Sequence, residues 1–244
     1  MNSTRACFLG YRARMADEVS APVRAVCALR RHGPGGIARL ATDRVRSQLR
    51  LDEEHVWCEL ELSSATRTPF GAADDGLRLT EPSTAEELAP FDGLPTITSA
   101  AAWARVGEGG RPWLVLDGSL PAFACWTFTA RAPMIAARGG WLALPEGAVV
   151  LEDSVAAPIA RGRGIAPRTW SHIAGVLATD GVARMLTKVE TANAPSRRAV
   201  TKAGFTEVAV MRLRRRGPFT RVAVKVIGAN ATGAELARRL HRRS

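Results

Sequence analysis

A short run of glycine and arginine lies two-thirds of the way along the chain, between an apolar stretch and a predicted helix. It reads PIARGRGIAPRTW, over residues 158–170. Gly162 and Gly164 permit a left-handed backbone and carry no Cβ that would block a ligand from the main chain. The first N–H groups of a helix have no internal acceptor and lie at the positive end of its dipole. With the charge of Arg161 and Arg163, these features indicate an anion site that suits a pyrophosphate better than a single carboxylate.

Two common phosphate-binding motifs do not fit this stretch. A dinucleotide fingerprint needs a third glycine near position 167, where the chain has Pro167, and a P-loop needs Gly-Lys-Ser or Gly-Lys-Thr. Arginine-glycine turns also occur in loops that bind nothing. The segment alone therefore leaves a purely structural role open.

The residues around this stretch resemble two signatures of the GNAT superfamily of N-acetyltransferases. LEDSVAAPIARGRGIA resembles the acetyl-CoA motif, in which a strand leads into R-x-x-G-x-G/A and a long helix. Further along, NAPSRRAVTKAGF resembles the second signature, in the expected order and at the expected separation. The matching positions are Leu151, Glu152, Asp153, Pro158, Arg161, Gly164 and Ala166 in the first, and Asn193, Ser196, Lys202, Gly204 and Phe205 in the second.

The resemblance covers residues 76–228 and implies an α/β (α+β) fold. This GNAT fold has a central, mixed, mostly antiparallel twisted sheet flanked by helices, here with an N-terminal extension of helices and one strand. The resemblance also implies acetyl-CoA as co-substrate. The residues that would bind it are Ser154, Val155 and Ala156 late in a strand, for the thioester carbonyl; Arg161, Gly162, Arg163, Gly164, Ile165 and Ala166, for the pyrophosphate; and Asn193 and Ser196.

Asn193 and Ser196 have two open interpretations. They would contact the pantetheine or the adenosine side of the co-substrate, or they would cap the helix that follows.

Two adjacent carboxylates, Glu152 and Asp153, are the catalytic candidates. Family members use no covalent intermediate, so the protein must orient an amine, polarise the carbonyl and remove a proton from the ammonium. Alternation along a strand predicts that the two side chains point to opposite faces. Glu152 matches a position linked to the base role in some relatives, and Asp153 is the weaker candidate; a structural or substrate-positioning role is the alternative.

The chain departs from the family pattern at three places. Many relatives have a tyrosine that protonates the leaving thiolate, and here that position is Val200. Pro167 lies in the first helical turn and removes one N–H. Ala156 and Ala157 replace bulkier strand residues, which would widen the channel.

Periodicity and turn residues predict the elements that position these residues. Helices are expected at 22–29, 36–49, 98–106, 165–179, 196–203 and 232–243, with a helix start at EPSTAEELAPF capped by Ser83 and Glu86. Strands are expected at 55–62, in GLRLT, in a hairpin turning at Asp117-Gly118, in a pair turning at 145–147, and at 185–190, 207–213 and 221–226. The predicted units are a basic extension at 1–70 packed on the main domain, the GNAT domain at 76–228 and a basic helix at 229–244.

Charge and composition limit the partners. The net charge is +11, and the excess lies near the two ends of the sequence. Such clusters are either solvated faces or surfaces that attract phosphates, anionic lipid or acidic partners. The amphipathic segment 36–49 either packs on the main domain or makes peripheral contact with a membrane. Aromatic residues are not interleaved with the arginines, which disfavours nucleic acid as a partner.

The remaining chemistry-bearing residues form no familiar site. The four cysteines are scattered, which indicates free thiols in a reducing compartment, and the four histidines form no metal-binding pattern. No apolar run suits a signal peptide or a membrane span, so a cytoplasmic location is expected.

The function expected from the resemblance is acetyl transfer from acetyl-CoA to a primary amine on a small molecule or peptide. The alternative is a GNAT-fold module without turnover that binds acyl-CoA, RNA or another partner. No pattern in the sequence predicts a metal or an oligomeric state.

Overall fold

The computed structural model describes residues 50–62, 70, 76–133, 141–216 and 219–241. The helices predicted at 22–29 and 36–49 lie outside these residues. The strands are β1 (Arg50–Glu61), β2 (Leu77–Thr80), β3 (Gly110–Asp117), β4 (Leu120–Thr129), β5 (Arg131–Pro133), β6 (Trp141–Ala143), β7 (Ala148–Ala156), β8 (Arg184–Glu190), β9 (Thr206–Arg216) and β10 (Phe219–Val226). The helices are α1 (Ser99–Gly107), α2 (Ile165–Thr179), α3 (Ala194–Lys202) and α4 (Ala231–His241), with 3₁₀ segments at Ala89–Gly93 and Pro158–Ala160.

Eight strands form one sheet in the order β10-β9-β1-β8-β7-β4-β3-β2, and β5 and β6 form a separate ribbon. Neighbouring strands in the large sheet are antiparallel except β7 and β8, which run parallel. A parallel pair needs a crossover connection, and α2 provides it. The mixed, mostly antiparallel sheet with flanking helices confirms the predicted fold class.

β1 lies inside the large sheet, between β8 and β9. Trp57 in its middle pairs with Lys188 on one side and with Ala209 on the other. The strand predicted at 55–62 is therefore present, and it is an interior strand of the sheet. It joins the sheet because Val56, Trp57 and Cys58 are apolar on both faces and are all buried. The predicted division into units at 1–70, 76–228 and 229–244 stays a prediction.

Helices cover both faces of the sheet. On one face α2 packs on β4, where the ring of Trp170 lies 6.3 Å from that of Phe123 and 6.5 Å from that of Phe205. On the other face α1 and the first 3₁₀ segment lie over β4, where the rings of Phe91 and Trp126 are 5.0 Å apart. Phe123 and Trp126 point to opposite faces because side chains alternate along a strand. These aromatic clusters belong to one hydrophobic core on the two faces of the sheet.

Several large aromatic side chains and two cysteines of the sheet are buried or half-buried. Trp113, Trp126 and Phe205 lie in the core and Trp141 is half-buried. Cys58 and Cys125 are buried free thiols. Burial raises the pKa of the Cys58 thiol to about 12 and also raises that of Cys125, so neither thiol is reactive at neutral pH.

The predicted helix start at EPSTAEELAPF is not an α-helix. Turns over 84–88 lead into the 3₁₀ segment, because Pro90 lacks the N–H of a continuing helix and disfavours a helical residue before it. The capping partner is Glu87, not Glu86. Its carboxylate accepts the N–H groups of Ser83 and Thr84 at 2.8 and 3.1 Å, and the Thr84 hydroxyl accepts the Glu87 N–H at 3.3 Å.

The prediction that the strands on either side of the turn at 145–147 pair with each other is also wrong. β6 precedes this turn and β7 follows it, but β6 pairs with β5. β7 has no edge to offer β6, because β4 and β8 occupy both of its edges.

A buried polar cluster fastens α4 to β1. The Glu59 carboxylate, on a residue only 5% exposed, accepts the Thr232 hydroxyl at 2.6 Å and lies 3.5 Å from the Arg184 guanidinium. Asn230 caps the helix, its side-chain oxygen accepting the Gly233 N–H at 2.7 Å. The start of α4 also lies very close to β9: a Cβ at position 233 would overlap the Val208 carbonyl oxygen, so glycine is required there.

Replacing Gly233 by alanine should destabilise the protein by about 1–3 kcal/mol, because the added Cβ would overlap the carbonyl oxygen of Val208. The matched control is Gly107→Ala in α1, where a Cβ meets no atom within 4 Å. That change should be neutral or stabilise by up to about 1 kcal/mol. Urea unfolding of both variants checks the pair, and an undiminished free energy of unfolding for Gly233→Ala would contradict the close packing.

Candidate functional site

β7 and β8 pair over only four residues each. The pairing runs from Ala148 opposite Arg184 to Leu151 opposite Thr187, although both strands continue beyond this point. At the last pair, the Thr187 hydroxyl donates to the Leu151 carbonyl at 3.0 Å. After it the two strands no longer pair with each other, so a gap opens between their carboxyl ends.

A β-bulge in β7 accounts for the separation. On the β4 side, Trp126 pairs with Glu152 but Ala124 pairs with Val155, so β7 carries one extra residue between these positions. Asp153 lies in this bulge with a φ of 50°, a left-handed conformation that is uncommon for residues other than glycine. Bulges bend the strand that contains them, and this bend turns the end of β7 away from β8.

The bulge leaves main-chain groups facing the gap. Ala157 donates its N–H to the Ala122 carbonyl of β4 at 2.9 Å, and Val155 pairs with Ala124 of the same strand. Because N–H groups alternate between the two edges of a strand, the N–H of Ala156 faces the gap. Of the predicted residues Ser154, Val155 and Ala156, it is therefore Ala156 that presents a donor there.

The glycine loop follows β7 directly. Gly162 and Gly164 have φ values of 80° and 71°, so each adopts the backbone for which the sequence predicted glycine. A Cβ built on either residue meets no atom of the described chain within 4 Å. The main chain at both positions therefore faces open space that a ligand can enter.

The start of α2 supplies further donors. Its first internal hydrogen bond runs from the Arg168 N–H to the Gly164 carbonyl, at 3.4 Å. The N–H groups of Ile165 and Ala166 precede that bond and so have no acceptor within the helix, while Pro167 has no N–H. The side chain of Ile165 is buried, which anchors the start of the helix in the core.

The two arginines of the loop differ in their contacts. Arg163 donates to the Asp117 carboxylate at 2.6 Å, which ties the loop to the β3–β4 turn. The exposed side chain of Arg161 makes no hydrogen bond or ion pair with another described residue. Arg161 is therefore the loop guanidinium that an incoming anion can reach without displacing a partner.

The loop after β8 leaves the same edge of the sheet as the glycine loop, because β7 and β8 are parallel. Asn193 lies in it and caps α3, with its side-chain oxygen accepting the Ser196 N–H at 3.2 Å. Of the two interpretations of these residues, the structure thus provides direct contacts for the cap. Ser196 is half-buried in the first turn.

A buried ion pair lies where β7 and β8 begin to part. Glu152 and Lys188 directly follow the last paired residues, and their side chains, 11% and 9% exposed, form a salt bridge. The ammonium of Lys188 also lies 5.5 Å from the ring centroid of Trp57. Burial raises the pKa of Glu152, and the positive charge of Lys188 partly offsets that shift.

Asp153 forms a second ion pair, with Arg105 of α1. The Arg105 guanidinium is almost fully buried and lies 5.0 Å from the ring centroid of Trp126. The prediction that Glu152 and Asp153 point to opposite faces is wrong: Trp126 pairs with Glu152 on β4, and the Arg105 that covers Trp126 binds Asp153. The left-handed residue at the bulge breaks the alternation and turns both carboxylates to one side.

Lys188 and Arg105 are site residues that the sequence analysis does not single out. Lysine is rare in this chain, and Lys188 lies between mostly apolar residues in the strand MLTKVE. Arg105 similarly interrupts the apolar helix segment AAAWARV. Since a buried charge requires a partner, a cation within an apolar element was the available signal for both.

His55 of β1 lies on the same sheet face as Trp57 and Lys188 and is buried. Its Nδ1 has no hydrogen-bond partner among the described residues. Burial, helped by the charge of Lys188, lowers the pKa of His55 from 6.5 to about 4. The imidazole is therefore neutral at pH 7.

Across the described ranges, no three His, Cys, Asp or Glu side chains gather as a metal site would require. None of the described helices has the length and apolar character needed to cross a membrane.

No protein-family model matches the chain, and no curated protein matches it. Among solved structures, it is similar to the GCN5-related glucosamine N-acetyltransferase region of a fungal multi-domain GH3 β-N-acetylglucosaminidase, with 13% identity and a TM-score of 0.51 over 73% of this chain and 23% of that one. GCN5-related N-acetyltransferases from Sphaerobacter thermophilus (13% identity, TM-score 0.46, 82% and 59% covered) and Kribbella flavida (15%, 0.46, 73% and 64%) are also similar. The match spans less than two thirds of the length of each of these structures. The chain thus has the GNAT fold, as predicted.

The neutral His55 should make stability depend on pH. Its unfolded imidazole binds a proton near pH 6.5 and the folded one only near pH 4, so the unfolded state gains more protons and stability falls as pH drops through this window. Between pH 7 and pH 5 the loss from this one group should be about 2 kcal/mol. Urea unfolding at both pH values should show that loss in the wild type and a smaller one in His55→Gln. An equal loss in both proteins would contradict the assignment.

Proposed function

We propose that this protein transfers an acetyl group from acetyl-CoA to a primary amine, by direct attack of the amine in a ternary complex. The observation that carries the proposal is one of position: the gap between β7 and β8 opens at the same sheet edge as the glycine loop. The gap would hold an extended pantetheine arm, and the glycine loop beside it would form a cradle for the pyrophosphate. The likeness in fold to a glucosamine N-acetyltransferase region supports the same assignment.

The glycine loop would bind the pyrophosphate mainly through its main chain. Gly162 and Gly164 leave room for the phosphates to approach, and the N–H groups of Ile165 and Ala166 lie at the positive end of α2. Arg161 would add a mobile positive charge, while Arg163 holds the loop in place through Asp117.

The Ala156 N–H would polarise the thioester carbonyl. A donor that faces the gap is in place before the substrate arrives, so it stabilises the negative charge that develops on the carbonyl oxygen without reorganising. The small side chains of Ala156 and Ala157 leave the slot wide beside this donor.

The reaction requires two proton transfers. The ammonium of the acceptor loses a proton, its nitrogen attacks the thioester carbon, the C–N bond forms and the C–S bond breaks, and the departing thiolate takes up a proton. Glu152 would accept the first proton through a water molecule, since its side chain is mostly buried. A pKa raised by burial makes it a stronger base, and Lys188 would hold the carboxylate in place.

Asp153 is better placed to meet the acceptor than to act as the base. Its side chain is 35% exposed, compared with 11% for Glu152, and Arg105 fixes its orientation. A carboxylate at the mouth of the gap would attract an ammonium group, so we assign Asp153 a positioning role.

The second proton has no protein donor at the family's usual position. Val200 occupies that position and is buried, so solvent would protonate the thiolate. The same observation favours a second candidate function, a GNAT-fold module that binds acyl-CoA without turnover. Release of free thiol from acetyl-CoA with a panel of primary amines separates the two functions.

Gly164→Asp should weaken CoA binding about 100-fold or more, because it places a negative charge where the phosphates would lie. Gly181→Asp is the matched control: its φ of 78° is similar, its Cβ also meets no atom within 4 Å, and it lies at the other end of α2. Both variants should lose comparable stability, but Gly181→Asp should bind CoA as the wild type does. Calorimetry with CoA gives both affinities, and the proposed cradle is wrong if the two variants bind equally well.

Glu152→Gln should lower the amine-dependent rate of thiol release about 100-fold. The rise of that rate with pH through the Glu152 pKa should also be lost. Glu59→Gln serves as control, because Glu59 is also buried and near an arginine but contacts α4. It should reduce stability and keep the wild-type pH profile. An unaltered profile in Glu152→Gln would remove Glu152 from the base role.

A further inference from the structure

An exposed row of cations covers one face of the sheet at the β9–β10 hairpin. We call it the arginine face; it consists of Arg212, Arg214, Arg216, Arg221 and Lys225, all exposed. Alternation along both strands and their register place these side chains on the same side. The residues between them, among them Met211, Leu213 and Val222, are buried on the opposite side.

The arginine face is only partly neutralised. Asp52 of β1 binds Arg212 at 2.7 Å and Arg214 at 3.3 Å. Arg216, Arg221 and Lys225 form no ion pair with another described residue. Arg214 and Arg221 lie directly opposite each other, an arrangement of like charges that is unfavourable in an antiparallel pair and that Asp52 offsets on the Arg214 side alone. Positive charge therefore remains concentrated on this face.

An exposed aromatic residue lies at the end of this face. Phe219 begins β10 opposite Arg216 and is 79% exposed. β1 begins at this same end of the sheet, where Arg50 pairs with Arg216. An exposed apolar side chain bordered by exposed cations is typical of a protein surface that lies on a membrane.

We infer that the arginine face, with Phe219 at its end, docks on an anionic phospholipid surface. The cations would meet lipid phosphates while Phe219 enters the interfacial layer, as aromatic side chains prefer. Single-stranded nucleic acid fits less well, since its binding uses several aromatic side chains that stack on bases, and this face has only Phe219. The inference does not depend on acetyl transfer.

The test is sedimentation of the full chain with lipid vesicles. The protein should sediment with an equal mixture of phosphatidylcholine and phosphatidylglycerol but not with phosphatidylcholine alone, and high salt should release it. Arg221→Glu should lower the partition coefficient at least about fivefold, because each cation near such a surface contributes about 1 kcal/mol to binding. The free energy of unfolding of this variant should not fall, because the new carboxylate would pair with Arg214. Phe219→Ser should also lower partitioning.

Arg78→Glu is the matched control. Arg78 is exposed on β2, at the other edge of the sheet, and the change alters net charge equally, so partitioning should stay at the wild-type level. An equal loss in Arg78→Glu and Arg221→Glu would overturn the inference in favour of net charge alone. Equal sedimentation with both vesicle types, or retardation of poly(U) that depends on Arg221 without any vesicle binding, would overturn it as well.

Discussion

The short parallel pairing of β7 with β8 is the constraint on which the site depends. Elsewhere in the large sheet the pairing is antiparallel, and here it ends at Leu151 and Thr187 because the bulge at Asp153 bends β7 away. A sheet that parts between two interior strands leaves main-chain donors and acceptors without their usual partners. Such groups are costly to leave unsatisfied, so the gap favours any extended, amide-bearing ligand that can complete the hydrogen bonds the strands no longer make.

Charge is organised around that point in two ion pairs. Glu152 and Lys188 form one pair, buried at the origin of the gap, and in the other pair the more exposed Asp153 binds the buried Arg105. Each cation also lies near a tryptophan ring, Trp57 or Trp126. Buried ion pairs seldom add net stability, so four charged groups in so small a volume are better understood as a means of orienting carboxylates than as a contribution to folding.

Local signals in the sequence identified most elements, and non-local pairing limited the rest. The bounds of α2 were predicted to the residue, because Gly164 and Pro167 mark its start and the apolar positions recur at helical spacing. The left-handed glycines of the loop followed from residue type alone. By contrast, the place of β1 in the sheet depends on partners at Lys188 and Ala209, more than a hundred positions away. The side to which Asp153 points depends on a bulge that no local pattern marks. For Lys188 and Arg105 the sequence offers only the signal of an isolated cation; their partners, Glu152 and Asp153, become apparent when distant strands and helices meet.

The interior position of β1 has a consequence for how the molecule is assembled. Both neighbours of this strand are synthesised long after it, so residues 50–61 lack their strand partners in the nascent chain until β8 and β9 emerge. Unless β1 pairs with both β8 and β9, the strands on the β8 side and the β9–β10 hairpin cannot form one continuous sheet. The first of the described strands thus pairs only with strands made much later, in a topology whose distant contacts are intrinsically slow to form. Loss of that strand would leave two separate sheets with newly exposed edges, a state prone to self-association.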